Sequence, residues 1–328
     1  MASRLGRRGA LVLRLLVSAA LLGVVLAYAD IGEVARAVRD GEWGWFAAGL
    51  AVMGVAVVLG GLRWWLLLEG AQIDVSGLRA VRAFAASLVL NIVLPTAVAG
   101  DAVRTWVVGR ESGRLLGATA ATVVDKLTAL TCLFGVGWAA YALDPNSVPD
   151  SLVVVFAWVT VGLLAVFAVA ALAAAGVRPI LHRLPERLAA MARESWRVIR
   201  VWAGSGKLVA SVLGLGVAYQ VLAVIALMLV ATTLGLELSF ALAAITTSIV
   251  LVALLIPVSV GGLGIREGGF VLLLGEAHID AADATLVSLL GAAAVLFSSA
   301  GVAAAIYLYD MLRARGPNAR AVPGRRSV

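Results

Sequence analysis

Apolar residues in this chain fall in long, nearly continuous runs separated by short polar stretches. About 20 residues suffice for a helix to cross a bilayer core. Runs at about Ala10–Ala29, Trp43–Glu69, Leu115–Leu143, Ser151–Val177, Leu208–Leu234 and Ala284–Tyr309 reach that length and predict six spanning helices. Two further runs are interrupted. The first, about Ala83–Gly109, breaks at Asn91-Ile-Val-Leu-Pro95 and resumes through Gly100-Asp101 to Arg104. The second, about Phe240–Gly275, breaks over Pro257-Val-Ser259-Val-Gly261-Gly262-Leu-Gly264 and resumes at Arg266-Glu267. An unpaired backbone group in hydrocarbon costs several kcal/mol, so broken helices persist only inside protein or beside a water-filled cavity. Two such interruptions, one in each half, point to a transport site near the bilayer midplane.

The charges between the runs set the expected topology. Arg79 and Arg82 precede the first broken element and Arg110 and Arg114 follow it, so the positive-inside rule places both its ends in the cytoplasm. Glu237 precedes the second, and Glu276, Asp280 and Asp283 follow it, which places both its ends outside. The expected fold is therefore an all-α integral membrane protein with six full spans and two oppositely oriented re-entrant hairpins, laid out as an inverted repeat. The alternative is a second broken element that crosses fully. Residues 1–310 form one polytopic membrane domain with both termini cytoplasmic, in the cell membrane, and 311–328 form a disordered tail. The loop 144–150 lacks Lys and Arg and is expected outside. Residues 178–207 are basic and read either as an amphipathic helix on the inner leaflet or as a solvated hairpin. The start also fits a signal peptide ending at Ala27-Tyr28-Ala29, although an uncleaved first helix is the expectation.

Composition supports the membrane assignment. The chain is 62% hydrophobic and 14% charged, against about 25% charged in soluble domains. Its net charge of +7 sits mostly between apolar runs, where it reports topology and anionic lipid rather than nucleic acid. Cys132 is the only cysteine, which excludes an intrachain disulfide, and it reads as a small packing residue. His182 and His278 have no ligand spacing, so neither a metal nor a cofactor is expected.

Charges at membrane depth carry the candidate chemistry, because each costs about 2.5–3.5 kcal/mol on insertion scales. Asp101, Arg104, Asp125, Lys126, Arg266 and Glu267 form this set. Asp125 and Lys126 are neighbours on one helix and cannot face each other. Partners are expected from the broken segments: Arg104 or Arg266 for Asp125, and Asp101 or Glu267 for Lys126. Arg63, beside Trp64 and Trp65, is expected to snorkel to an interface. Gly100, Gly261, Gly262 and Gly264 permit close backbone approach, and N–H groups at a restarting helix beside an arginine suit a phosphate. The alternative is that these charges are structural ion pairs. Ser259 lies in Val-Ser-Val, which is not a nucleophile elbow, so catalysis is not expected.

At these residues the chain resembles the lysylphosphatidylglycerol synthase transmembrane-region family, over about residues 10 to 310. The resemblance rests on Arg63-Trp-Trp-Leu-Leu, Asn91 through Pro95 to Gly100-Asp101 and Arg104, Asp125-Lys126, and the run Pro257 to Glu267. Asp101 stands where that family often has Glu, and Asp125-Lys126 where it often has Glu-Arg. The resemblance implies a flippase-like domain that translocates a lipid with an anionic or aminoacylated headgroup. Its candidate substrate-binding residues are Asn91, Pro95, Gly100, Asp101, Arg104, Asp125, Lys126, Pro257, Ser259, Gly261, Gly262, Gly264, Arg266 and Glu267. The expected partners are membrane lipids and a separate synthase or glycosyltransferase, since little chain follows Tyr309 to form a synthase domain. Two alternatives are an enzyme or accessory subunit of lipid-linked glycan or isoprenoid-lipid metabolism, and a proton-coupled carrier of a small solute.

Overall fold

A computed structural model describes residues 39–94, 99–174, 185–255 and 262–315 of the chain. Every regular element among the described residues is helical. The helices are α1 (Trp43–Gly70), α2 (Gly77–Val93), α3 (Ala99–Glu111), α4 (Leu115–Leu143), α5 (Asp150–Ala174), α6 (Glu186–Ala203), α7 (Gly206–Thr233), α8 (Phe240–Ala253), α9 (Ile265–Gly275) and α10 (Ala281–Arg315). Five of them, α1, α4, α5, α7 and α10, are long and apolar enough to cross a membrane. The first apolar run, with the signal-peptide alternative, and residues 316–328 lie outside the described residues. Residues 311–315, expected in a disordered tail, instead continue α10.

The two interrupted runs fold as helix pairs. At 1.5 Å per residue the 17 and 13 residues of α2 and α3, and the 14 and 11 of α8 and α9, are each shorter than a ~30 Å hydrocarbon core. Within each pair the partners pack on one another, α2 on α3 and α8 on α9. Local chemistry sets the starts of the second half: Ser205 Oγ accepts the Leu208 N–H at 3.4 Å, and Ser239 Oγ accepts the Leu242 N–H at 3.1 Å, both as N-caps.

The helices α1 and α7, each 28 residues long, form the central contact. They are antiparallel. A Cβ at Gly49, early in α1, would lie 3.7 Å from Val230 late in α7. One at Gly216, earlier in α7, would lie 3.5 Å from Arg63 late in α1. Around this pair, α1 also touches α2, α4 and α10, while α7 touches α8, α10 and α4. The contact of α2 with α10 is matched by that of α8 with α4. Buried side chains gather in two clusters, one around Trp64, Leu67, Phe84 and Val108, the other around Phe134, Phe156, Ile245 and Phe270.

Within the basic stretch 178–207, α6 packs against α1, α4, α5 and α7, with Ala189, Ser195 and Val198 buried. Its arginines Arg193, Arg197 and Arg200 remain outside that buried set, and Arg197 forks onto Glu194 of the preceding turn. Residues 186–203 of the stretch are thus a helix packed on the bundle rather than part of a solvated hairpin, while 178–184 lie outside the described residues.

Candidate functional site

Five ionic side chains from α1, α3 and α4 meet at one place. Asp125, 2% exposed, has both carboxylate oxygens occupied: Arg63 Nε donates to Oδ1 and Arg104 Nη2 to Oδ2, each at 2.9 Å. Arg104 Nη2 also lies 3.1 Å from Asp101 Oδ1, one turn earlier on α3. Lys126 Nζ reaches the other Asp101 oxygen at 2.7 Å. Of the alternatives read from the sequence, Arg104 is therefore the partner of Asp125 and Asp101 that of Lys126. Three cations face two carboxylates, so the group carries one net positive charge.

Arg63 corrects an expectation. It does not snorkel: it is 2% exposed and bound to Asp125. The reason is that α1 runs on for two further turns to Gly70, which keeps Arg63 inside the bundle under α4 and α7. The missing Cβ at Gly216 leaves room there, for it would sit 2.6 Å from Cys132 Sγ. Cys132 is itself buried and unbridged, consistent with a packing role.

Aromatic rings and hydroxyls hold the Arg104 guanidinium in place. Its Cζ lies 4.5 Å from the Trp64 ring centroid and 4.8 Å from that of Phe84, a cation–π arrangement that is strongest when desolvated. Trp64 Nε1 donates to Thr122 Oγ1 at 3.2 Å, and Thr122 and Thr105 share a hydroxyl contact of 2.7 Å. Both rings thus lie against the guanidinium. Its Nε and Nη1, although buried, meet no hydrogen-bond acceptor among the described residues.

Asn91 and Gly100 fix how the first interruption closes. The Gly100 N–H donates to Asn91 Oδ1 at 2.8 Å, satisfying one unpaired donor at the restart of α3. A Cβ at Gly100 would fall 1.9 Å from the Ser87 carbonyl oxygen, so α2 and α3 approach here only because the residue is glycine.

Arg266 and Glu267 form a separate group at the restart of α9. Glu267 is fully buried; its Oε1 accepts from Arg266 Nε at 3.0 Å and Nη2 at 2.6 Å. Its Oε2 accepts the Gly264 N–H at 2.6 Å. Gly262 and Gly264 both have φ near +80°, a conformation that favours glycine. No hydrogen bond or ion pair among the described residues joins this group to the first. Pro95, Pro257, Ser259 and Gly261 lie outside the described residues. Removing the charge in Glu267→Gln should cost about 1.5–3 kcal/mol, the range for hydrogen bonds to charged groups. Thermal unfolding in detergent measures this; an unchanged midpoint would mean that the Arg266–Glu267–Gly264 knot does not hold the turn.

A groove of about 490 Å³ opens beside the first group, between α2, α3 and α10. Arg79, Arg82 and Glu111 line one end, Ser87, Leu90 and Arg104 lie along it, and alanines and valines dominate the remainder. Arg79 pairs with Glu111 at 2.5 Å and Arg82 with Asp310 of α10 at 2.7 Å. Reading the sequence alone missed Arg63, Trp64, Phe84, Thr105 and Thr122 as parts of the site. For Arg63 a signal was available, since the apolar run continues past it on both sides.

A family model described as the lysylphosphatidylglycerol synthase TM region matches residues 11–303. No curated protein and no solved structure matches the chain.

Proposed function

The chain belongs to the lysylphosphatidylglycerol synthase TM region family, and from that premise we propose that it is a flippase-like transporter for a lipid with an anionic or aminoacylated headgroup. It is a multi-pass membrane domain. The observation that carries the reading is the excess charge of the buried group, three cations against two carboxylates, beside an apolar-walled groove that reaches Arg104. One phosphodiester anion would neutralise that excess. Arg104 has two buried nitrogens without acceptors, Nε and Nη1, and a charge-assisted hydrogen bond from either to a phosphate oxygen is short and strong. Lys126, whose side chain is 38% exposed, can then keep Asp101 paired while the phosphate occupies Arg104. The lipid leaves chemically unchanged, and its tails stay in the bilayer.

The helix order supports movement between two faces. The antiparallel packing of α1 on α7 supports reading α1–α4 and α7–α10 as an inverted repeat, the layout on which alternating access is built. Aligned from their starts, α3 and α9 both carry an acid at the third residue, Asp101 and Glu267. The other equivalents differ in chemistry: Ala226 stands at the place of Arg63, and Gly291 at that of Asp125. The headgroup site of this reading therefore belongs to the first half, and the positive-inside rule supports a cytoplasmic position for the arginine-bearing end of the groove.

Headgroup-labelled phosphatidylglycerol in proteoliposomes, quenched from outside by dithionite, tests this. The wild-type protein should expose inner-leaflet lipid to the quencher. Arg104→Lys, which keeps the charge but loses the planar fork, should slow exchange by about tenfold or more, the factor that corresponds to 1.4 kcal/mol. Wild-type protein that leaves the inner leaflet protected, or a lysine variant as fast as wild type, would overturn the assignment. Chemically altered lipid after incubation would point to an enzyme instead.

A further inference from the structure

We infer that the groove between α2, α3 and α10 is the docking site for a glycerophospholipid of net negative charge from the bilayer, with Arg79 and Arg82 as the clamp for its phosphate. This deepens the proposed function and rests on it for the substrate, but places a first binding step away from the buried group. The groove's volume, about 490 Å³, lies within the range of pockets that hold small ligands, enough for a headgroup whose tails remain in lipid. Its chemistry is divided along its length. Arginines stand at one end, and Leu90, Val103 and Val107 form an apolar wall beyond them, matching an amphiphile with its phosphate at the arginine end.

The two arginines are available at low cost. Their bridges to Glu111 and Asp310 are exposed, with side-chain exposures of 32–48%, and exposed ion pairs contribute about 0–1 kcal/mol. A phosphate oxygen can therefore replace either carboxylate. Arg79 and Arg82 are one turn apart on α2 and so lie on one face of it. Arg104 supplies the second, independent observation: it is 3% exposed, lines the same groove, and has donors without acceptors. The groove thus joins a mouth with two arginines to an interior one.

The equivalent place in the other half is closed. Aligning α2 and α8 from their first residues puts Leu242 and Ile245 where Arg79 and Arg82 stand, and both are buried in the second apolar cluster with Phe134 and Phe270. The arginine clamp is accordingly a property of the first half alone.

Full-length protein in detergent, titrated with dioleoyl phosphatidylglycerol or dioleoyl phosphatidylcholine and followed by native mass spectrometry, tests the site. Wild type should retain phosphatidylglycerol in preference to phosphatidylcholine, and the double variant Arg79→Gln/Arg82→Gln should lose about tenfold or more in that preference, since each charge-assisted bond lost is worth at least that factor. Ala304→Phe, which fills the apolar wall without changing charge, should weaken phosphatidylglycerol as well. Arg104→Lys, which keeps the interior charge, should weaken retention less than the double variant does. Equal retention of both lipids by wild type, or a double variant that binds as wild type does, would overturn the docking site. So would competition by soluble glycerol phosphate as strong as by the lipid. If only Arg104→Lys loses binding, the phosphate rests at the interior arginine, so the docking site is wrong while the transport reading stands. Docking lost in the double variant, with lipid exchange normal in Arg104→Lys, would uphold the groove and sink the transport role of Arg104.

Discussion

Asp125→Asn should be the most damaging single substitution in the buried group. The carboxylate is shared by Arg63 and Arg104, and all three residues are 3% exposed or less. The amide is nearly isosteric, so packing is kept, but its NH2 presents hydrogens to one of two guanidinium groups. The net charge of the group rises from one to two around residues that are 3% exposed or less. Removing one partner of a buried ion pair costs about 3–5 kcal/mol, and here two cations lose the same acceptor. The expected result is a large fall in the detergent melting temperature together with poor accumulation in membranes. Combining Asp125→Asn with Arg63→Met restores the original net charge and should recover much of the loss. A single variant that melts with the wild type would show that α1, α3 and α4 are held by packing alone.

Gly100→Ala should be nearly as severe, for a steric reason. The new Cβ would meet the Ser87 carbonyl oxygen at 1.9 Å and Asn91 Oδ1 at 2.8 Å. A side-chain end could swing aside, but the Ser87 oxygen is backbone inside α2, so α2 and α3 must separate. Overpacking costs about 1–3 kcal/mol and occasionally more; a clash with backbone belongs at the upper end, and the separation also breaks the Gly100–Asn91 hydrogen bond. Gly135→Ala is the control. Nothing lies within 4 Å of its added Cβ, and alanine gains about 0.5–1 kcal/mol over glycine within a helix. Opposite shifts in melting temperature are expected from the same chemical change; a Gly100→Ala protein as stable as wild type would mean that α2 and α3 do not approach so closely.

The five long helices were legible from run length: Leu115–Leu143 was read from the sequence with the bounds it has in the structure, and the interruptions fell where α2 gives way to α3 and α8 to α9. Part of the buried group was legible as well. Neighbouring Asp125 and Lys126 cannot pair with each other, so each had to find a partner elsewhere, and the first broken segment supplies both. Arg63 was misread because Trp64 and Trp65 resemble an interfacial belt. In fact only Trp65 turns outward, donating to the Val75 carbonyl oxygen, while Trp64 is fully buried on Arg104. Direction around a helix decides this, and a pair of adjacent identical residues conceals it. Arg266 and Glu267 were undecidable in a different way. Their mutual pairing depends on the left-handed turn at Gly264, which brings the Gly264 N–H onto the same carboxylate. The groove depends on α10 lying against α2, a contact between residues more than 200 positions apart, as in Arg82 with Asp310.

The contrast between α4 and α5 bears on how the chain enters the membrane during synthesis. Of the five long apolar helices, α5 is the most apolar and the least covered by protein, while α4 is the least apolar and the most covered. A segment like α5 partitions from the translocon into lipid unaided. By contrast α4 carries Asp125 and Lys126, each opposing insertion by about 2.5–3.5 kcal/mol near the centre of a helix. Arg63 and Arg104 both precede α4 in the chain, so the counter-charges for Asp125 have already left the ribosome when α4 emerges. The order in which the ion network is encoded thus lets α4 enter the bilayer as the third member of an ion-paired group rather than as a solitary span.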